Sequence, residues 1–588
     1  MTGQESPANS PGTYPHLTGR RVPHGYPASS LPDQRNRAIV TFSLLGVAIA
    51  LLLFLVSTSP SLLPRPWWAQ AAMSGALMVG GYLLGFVIDW LARLVAEIIS
   101  LRVSYDLGAS WALRALLLTA LGGLFIVGLT VNYRHMRQTA RNVNMPPPSG
   151  LAYLGSLVGA FVIVAAIVGL YLLIYRLWKL IVGLFGNHIP GWAAAVLAWA
   201  IVFIIVVVLV EWGVIKQIAR RASRWASTRD RQIPEGVRAP LIPERSASPQ
   251  SVVTWEQTSR EGKRFLGGEP MTERIEQVTG RFATEPIRVY ASLAANGDSL
   301  SRAVHQAVQE LYRTGAFDRS VLLVVVPTGS GWVDEWNVQA LEYLTGGDCA
   351  SVAVQYSFLP SWMTFVSGRE QAGRGGRVIV DAVAREIAKL DPDRRPRLFV
   401  TGESLGSFGA QSAFHSPADM LARVDGALWI GTPGFTEVLR ELTRTRHRGS
   451  PQIAPVVDNA RHVRFATKPE DLTRDIDGRE LGAWEFPRVV YAQHASDPVV
   501  WWDKDLMWKT PDWMVEGVGS DVSNHLRWYR LVTYVQLLCD LPLAESASPG
   551  HGHKYQDELV PAWRAILGLK GDPAEDARIV TAISQHLT

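Results

Sequence analysis

Five stretches within the first 213 residues carry no charged side chain, and a chain built this way cannot fold as an ordinary water-soluble globule. Ala38–Val56 is an uncharged apolar run long enough to cross a hydrocarbon core of about 30 Å. Similar runs cover Trp67–Ile88, Leu116–Val131, Tyr153–Ile174 and Trp192–Val210. A buried helix of a soluble protein rarely stays charge-free for so long, and five in succession point to an α-helical transmembrane bundle of about five spans. Trp67, Trp68, Trp192 and Trp212 stand near the run ends, where indole rings favour the headgroup region. The third run is the shortest, so a four-span arrangement stays open. Arg20, Arg21, Arg35 and Arg37 precede the first run, while Lys216, Arg220, Arg221, Arg224, Arg229 and Arg231 follow the last. Across five spans these groups fall on opposite sides, and the positive-inside rule assigns no orientation.

The rest of the chain divides by composition. Residues 1–37 are rich in Pro, Ser, Gly, Arg and His, with too little apolar surface to offset ordering entropy, and read as a disordered tail. The apolar stretch after them begins too late for a signal peptide and has no small-residue cleavage pattern. The membrane region is expected over 38–213, a basic, Pro-punctuated connector over 214–285, and a second globular region over 286–588. A formal charge of +5 over 588 residues, with acidic and basic residues nearly matched, gives no electrostatic footprint for a nucleic-acid partner. Two cysteines, Cys349 and Cys539, are too few for a disulfide framework or a multi-cysteine metal site. No cofactor motif is present, and the composition carries no signal for an oligomeric state.

From Pro286 onward short apolar runs alternate with amphipathic stretches. Val321–Val326, Ser351–Tyr356, Arg397–Val400, Ala427–Ile430 and Val489–Gln493 have the composition of strands buried on both faces. Gln371–Leu390 reads as a helix, with Val378, Ile379, Val383 and Ile387 near helical spacing, and Trp255–Phe265 as a shorter one. This alternation predicts a doubly wound, mostly parallel sheet covered on both faces.

The chemistry concentrates where strand Leu398–Val400 runs into Gly402-Glu403-Ser404-Leu405-Gly406, with a helix-compatible stretch following through His415. Gly-x-Ser-x-Gly between strand and helix is a nucleophile elbow: the serine occupies a strained turn, and side chains at the two glycines would collide with neighbouring backbone. With 51 glycines in the chain, chance supplies roughly 0.3 such pentapeptides, so the strand–turn–helix context carries the inference. A serine hydroxyl needs a base, and the base an orienting carboxylate. Asp497 leaves the end of strand Val489–Gln493 and is the candidate acid, against an Asp-Pro turn as the plain reading; Asp503 and Asp505 are reserves. The Gly-rich loop Pro549–Tyr555 precedes a helix, Asp557–Leu567, and offers His553 as the base, with His551 as second choice. Two histidines two apart also suit a metal, but no third ligand of matching spacing is present, and no metal is expected. His494, His525 and His415 read as structural or surface histidines.

An oxyanion is expected to lie against the Leu405 N–H and a second donor among Thr328, Gly329 and Ser330, in the loop Val326–Trp332; a simple β-turn is the alternative there. Trp484, Trp501, Trp502, Trp508, Trp513 and Trp528, with Phe358, Trp362 and Phe365, suit either an acyl pocket or core packing.

These blocks together resemble a bacterial family of α/β-hydrolase proteins with an N-terminal multi-spanning membrane region. The resemblance runs from about Ser61 to Leu567 and rests on Ser61–Arg65, Pro327–Val333, Gln355–Trp362, Gly402–Gly406, Gln493–Trp502 and Gly550–Tyr555. It implies a hydrolase whose triad falls on Ser404, Asp497 and one of the two loop histidines. Leu526–Leu541 reads as a helix where the wider fold has another strand, so the sheet is expected to end early. The expectation is a multi-pass membrane protein, of undetermined sidedness, that cleaves lipophilic carboxylic esters. A transacylase would use the same triad, and a non-catalytic scaffold or transporter is the rival from another class.

Overall fold

The computed structural model describes residues 43–99, 111–209, 232–358 and 368–587, with residues 211, 217, 230, 364 and 365 between them. The N-terminal tail, residues 38–42 of the first run, Trp212, the basic residues after the last run and Trp362 lie outside the described residues.

The apolar runs form helices α1 (Leu44–Ser57), α2 (Trp67–Ile98), α3 (Trp111–Asn142), α4 (Gly150–Phe185) and α5 (Gly191–Val208). Ser43 and Ser149 begin α1 and α4 by accepting hydrogen bonds from Gly46 and Ala152. α2 to α5 each contain a segment long and apolar enough to cross a membrane, while the 14 described residues of α1 span only about 21 Å. Small residues let α1 and α2 touch backbone to backbone: a Cβ on Gly85 would stand 2.5 Å from Gly46 Cα. Outer faces stay bare, with Leu116, Leu117, Leu118, Leu121 and Leu124 of α3 all more than half exposed. An apolar surface of this extent calls for lipid around it.

The C-terminal half is a seven-stranded, wholly parallel sheet: β1 (Ile287–Ala291), β2 (Val321–Val326), β3 (Cys349–Val354), β4 (Arg397–Glu403), β5 (Gly426–Ile430), β6 (Val463–Ala466) and β7 (Arg488–Ala492), in the order β1-β3-β2-β4-β5-β7-β6. β2 shows why these runs are strands. Leu322, Val324 and Val326 enter one core and Val321, Leu323 and Val325 the other, so every residue is buried by period-two alternation. β3 goes to one side of β2 and β4 to the other, which opens a crevice between the C-terminal ends of β2 and β4.

Several boundaries differ from the sequence reading. β3 starts at Cys349, directly after a turn in which Gly346 and Gly347 both have positive φ, and it ends before Gln355 and Tyr356. The helix expected over Leu526–Leu541 begins only at Val532, because Leu531 has φ 63° and interrupts the helical path. The helix after Ser404 ends at Gln411, and the one expected over Trp255–Phe265 is Arg260–Gly267, capped by Ser259. No strand lies between Asp497 and His553 among the described residues.

The stretch 214–285, expected as a connector, is from Arg245 onward packed onto the β1 edge. Arg245 is fully buried and donates to the carbonyls of Leu266, Gly268 and Pro270, and Phe265, Leu266 and Ile275 join the core. Beside it Arg288 and Glu342 form a buried two-pronged pair at 2.7 Å.

The two halves interlock. Between α1 and α2, Leu62 is buried within the main core of the sheet domain. Arg65 Nε donates to Asp540 Oδ1 at 2.6 Å with both side chains buried, and Ser61 Oγ donates to the other carboxylate oxygen. Gln536 adds hydrogen bonds to the Ser59 carbonyl and hydroxyl. Arg65→Ala should strand the Asp540 charge in a dry site and destabilise the fold by about 3–5 kcal/mol, whereas Arg65→Met with Asp540→Leu should recover most of it. Thermal unfolding in detergent checks this, and an unaltered melting point for Arg65→Ala would contradict it.

Candidate active site

Ser404 directly follows β4 with φ 55° and ψ −122°, a backbone conformation few L residues adopt. Its amide is held by the Ile430 carbonyl at 2.9 Å, at the end of the neighbouring strand. A Cβ on Gly402 would meet the Gly406 carbonyl carbon at 2.5 Å, and one on Gly406 would meet the Val326 oxygen at 2.2 Å. Only glycine fits either place, so the sharp turn and the close approach of the β2 loop depend on both residues.

Asp497 leaves β7 fully buried. Its Oδ1 accepts from the Val499 amide at 2.8 Å, and Oδ2 accepts from His553 Nδ1 at 2.6 Å and the Tyr555 hydroxyl at 2.8 Å. The imidazole therefore carries its proton on Nδ1 toward the carboxylate and leaves Nε2 as the free nitrogen. Nε2 has no partner among the described residues and lies 3.9 Å from Glu403 Oε1, the side chain directly before Ser404. The ring edge also abuts Gly431, where a Cβ would come within 2.4 Å of it; Gly431 follows the residue that binds the Ser404 amide. Burial disfavours a charge on His553, but Asp497 and then Glu545 outweigh burial, and its pKa stands above the ordinary 6.5.

The two loop histidines part company. His551 lies with Nε2 2.9 Å from the Asn144 side-chain nitrogen and Nδ1 3.7 Å from Asp521, and does not share the carboxylate of Asp497. Asp503 pairs with Arg440, and Asp505 is exposed. His525 stacks on His135 at 3.8 Å.

In the β2 loop, the Thr328 amide donates to the Trp332 carbonyl at 3.0 Å and the Gly331 amide to the Thr328 carbonyl at 2.9 Å. That turn removes the Thr328 N–H from the candidate donors, because it already has an acceptor. The amides of Gly329 and Ser330 have none among the described residues, nor has that of Leu405. Gln355 Nε2 donates to the Ser330 carbonyl at 3.1 Å and the Tyr290 hydroxyl to that of Gly331 at 2.9 Å, which fixes the loop.

The aromatic residues divide. Trp501, Trp502 and Trp513 are buried in the core, while Trp508 is exposed. Phe365 packs with Phe435 and Trp502, and Phe408 of the elbow helix joins through Phe435. Arg369 lies 3.8 Å over the Phe435 ring.

Three participants were not identified from sequence. Tyr555 supplies Asp497 with a second donor; a hydroxyl two residues past His553 in the same Gly-rich loop was the available signal. His494 is buried with its Nδ1 at the Gly552 carbonyl and its Nε2 at Glu558, both within 2.9 Å, and it stacks on Tyr555. Burial opposes charge there, yet Glu558 raises its pKa, and both ring nitrogens face oxygens. Glu403 is the third: burial first, then Asp334, Glu545 and Asp497, push its carboxyl well above the usual range beside His553.

Residues 287–579 match the model of an alpha/beta-hydrolase family, and residues 58–270 match the model of that family's N-terminus. The chain belongs to the α/β-hydrolase family. No curated protein and no solved structure matches it. The elbow after β4 carries Ser404, the loop after β7 carries Asp497, and the loop 549–555 brings His553 onto Asp497 and near Glu403.

A base whose pKa is raised by Asp497 should lose activity as pH falls through a midpoint above 6.5. Asp497→Asn removes the charge that raises it, so the acid limb of kcat/KM should move down while kcat falls about 10⁴-fold. Tyr555→Phe removes a competing donor from the carboxylate oxygen that His553 shares, and should move the limb up. A pH–rate series on all three proteins checks the opposed directions, and limbs shifting the same way would contradict the assignment.

Proposed function

We propose that this hydrolase is a membrane-tethered serine hydrolase that cleaves carboxylic esters of lipophilic substrates. The observation that carries the reading is the 2.6 Å Asp497–His553 contact, which leaves Nε2 without a partner among the described residues and 3.9 Å from Glu403, the side chain directly before the strained elbow serine. Ser404 Oγ attacks the ester carbonyl carbon while its proton passes to His553 Nε2. Asp497 keeps the Nδ1 proton in place and stabilises the imidazolium. The oxyanion is met by the Leu405 N–H and an amide from Gly329 or Ser330. The C–O bond to the alcohol then breaks, the alcohol leaves with the proton from His553, and an acyl-serine remains. Water attacks the acyl carbon, gives its proton to His553, and the carboxylic acid departs as the proton returns to Ser404.

Two features support lipophilic substrates. Four helices are compatible with a membrane anchor, and the loop bearing His553 touches Asn144 at the end of one of them, so the reacting edge lies on the membrane-region side. Apolar rings of Phe365, Phe408 and Phe435 gather beside the elbow helix and suit an acyl chain. Ser404→Ala should abolish labelling by a fluorophosphonate probe and lower kcat by about 10⁶. Persistent labelling at another serine would remove Ser404 from the scheme, and an unlabelled wild type would favour a non-catalytic scaffold. In reconstituted vesicles kcat/KM should rise with acyl length, since each CH₂ adds about 0.8 kcal/mol of membrane partitioning. A flat series across chain lengths would count against substrate drawn from lipid.

A further inference from the structure

The loop that carries His553 is held from two sides, and one side belongs to the membrane region. From within the hydrolase, the Ser496 hydroxyl accepts from the Gly552 amide at 2.9 Å and His494 Nδ1 meets the Gly552 carbonyl at 2.9 Å. From the membrane region, the Asn144 carboxamide meets His551 Nε2 at 2.9 Å, and its backbone carbonyl accepts from Ser548 Oγ at 2.8 Å. Asn144 follows the last turn of α3 with φ 52°, a left-handed conformation that asparagine tolerates better than most residues. Leu63, Val143 and Ala547 close a small apolar cluster behind the same loop, and Leu63 lies against Gly552. A second route leads to the same place. Asp540, gripped by Arg65 and Ser61, ends the helix that runs into the turn Leu541–Ser546, and Ala544 of that turn accepts the His553 amide at 2.9 Å.

We infer that Asn144 is a positioning residue for the His553 base, so that the membrane region completes the hydrolase site instead of merely anchoring it. This rests on the triad proposed above. His553 must keep Nδ1 on Asp497 and present Nε2 to Ser404, and both contacts depend on the path of residues 544–555. Without the Asn144–His551 contact the tip of that loop keeps its turn bonds, the Ser548 bond to the Asn144 carbonyl and the apolar cluster at Ala547, but His551 loses its hold on the membrane region. A misplacement of about 1 Å at a reacting group lowers turnover by up to 10²-fold.

The test uses the full-length protein in nanodiscs. Asn144→Gly keeps the left-handed backbone accessible and deletes the carboxamide, and Asn144→Asp replaces the donating nitrogen with an oxygen, which His551 can meet by carrying a proton on Nε2. Hydrogen exchange of peptides spanning 544–555 reads the loop whether or not the protein is an esterase. Asn144→Gly should raise that exchange about tenfold with the melting temperature nearly unchanged. With a soluble short-chain ester it should lower kcat about tenfold at constant KM, and Asn144→Asp should restore most of both. Combined with His551→Ala, Asn144→Gly should add nothing further, because the two changes remove one contact. Unchanged loop exchange, fully additive losses, or a change in KM alone would each overturn the inference. Faster loop exchange in a protein whose wild type never labels at Ser404 would uphold the clamp and instead reject the proposed esterase.

Discussion

The buried ion pair between Arg65 and Asp540 ties the two halves of this hydrolase together. Both side chains are out of water, so neither charge is tolerable without the other. Asp540 also accepts from Ser61, and Arg65 donates to the Gln536 carbonyl and to Gln70, so the pair is hydrogen-bonded from both halves. The apolar side chain beside it, Leu62, is part of the sheet domain's own core. The loop between the first two membrane helices is therefore an internal element of the hydrolase. Its geometry is transmitted through helix Val532–Asp540 to the turn that holds His553.

Charge in the site is arranged with the same economy. Asp497 has donors on both oxygens: the Val499 amide on one, Tyr555 and His553 on the other. Glu403 is only one residue from Ser404 and meets burial and four other carboxyl groups without a compensating donor on Oε2. Burial raises Asp334 to about 7 despite two amides from Trp336 and Asn337. Glu403 and Asp334 are thus driven toward the neutral form, while the hydrogen bond from His553 Nδ1 makes Asp497 the partner of the imidazole.

Much of the frame was legible because it depends on local patterns. Uninterrupted apolar runs located the membrane helices, and fully apolar strands such as Val321–Val326 located the sheet centre. β1 and β6 were not singled out: Ile287–Ala291 carries Arg288, and Val463–Ala466 carries Arg464, each charge being neutralised or hydrogen-bonded only after folding. The stretch from Arg245 to Ala283 looked like a linker for the same reason. Its buried Arg245 is held by three carbonyls that come together only in the folded chain. Thr328 was grouped with Gly329 and Ser330, since the sequence does not reveal which amide a turn will consume.

The sequence by itself determined that this chain carries long lipid-compatible helices, a parallel α/β sheet and a serine in a turn that only glycines at 402 and 406 permit. These are consequences of hydropathy, period-two burial and the absence of a Cβ, all readable within a few residues. Only the tertiary structure decided that His553 and not His551 faces Asp497, and that Tyr555 and His494 brace the pair. It alone joined Asn144 to a histidine 407 positions away. Those choices turn on distances of about 3 Å between side chains remote in sequence, and directional contacts of that range exist only once every element is packed.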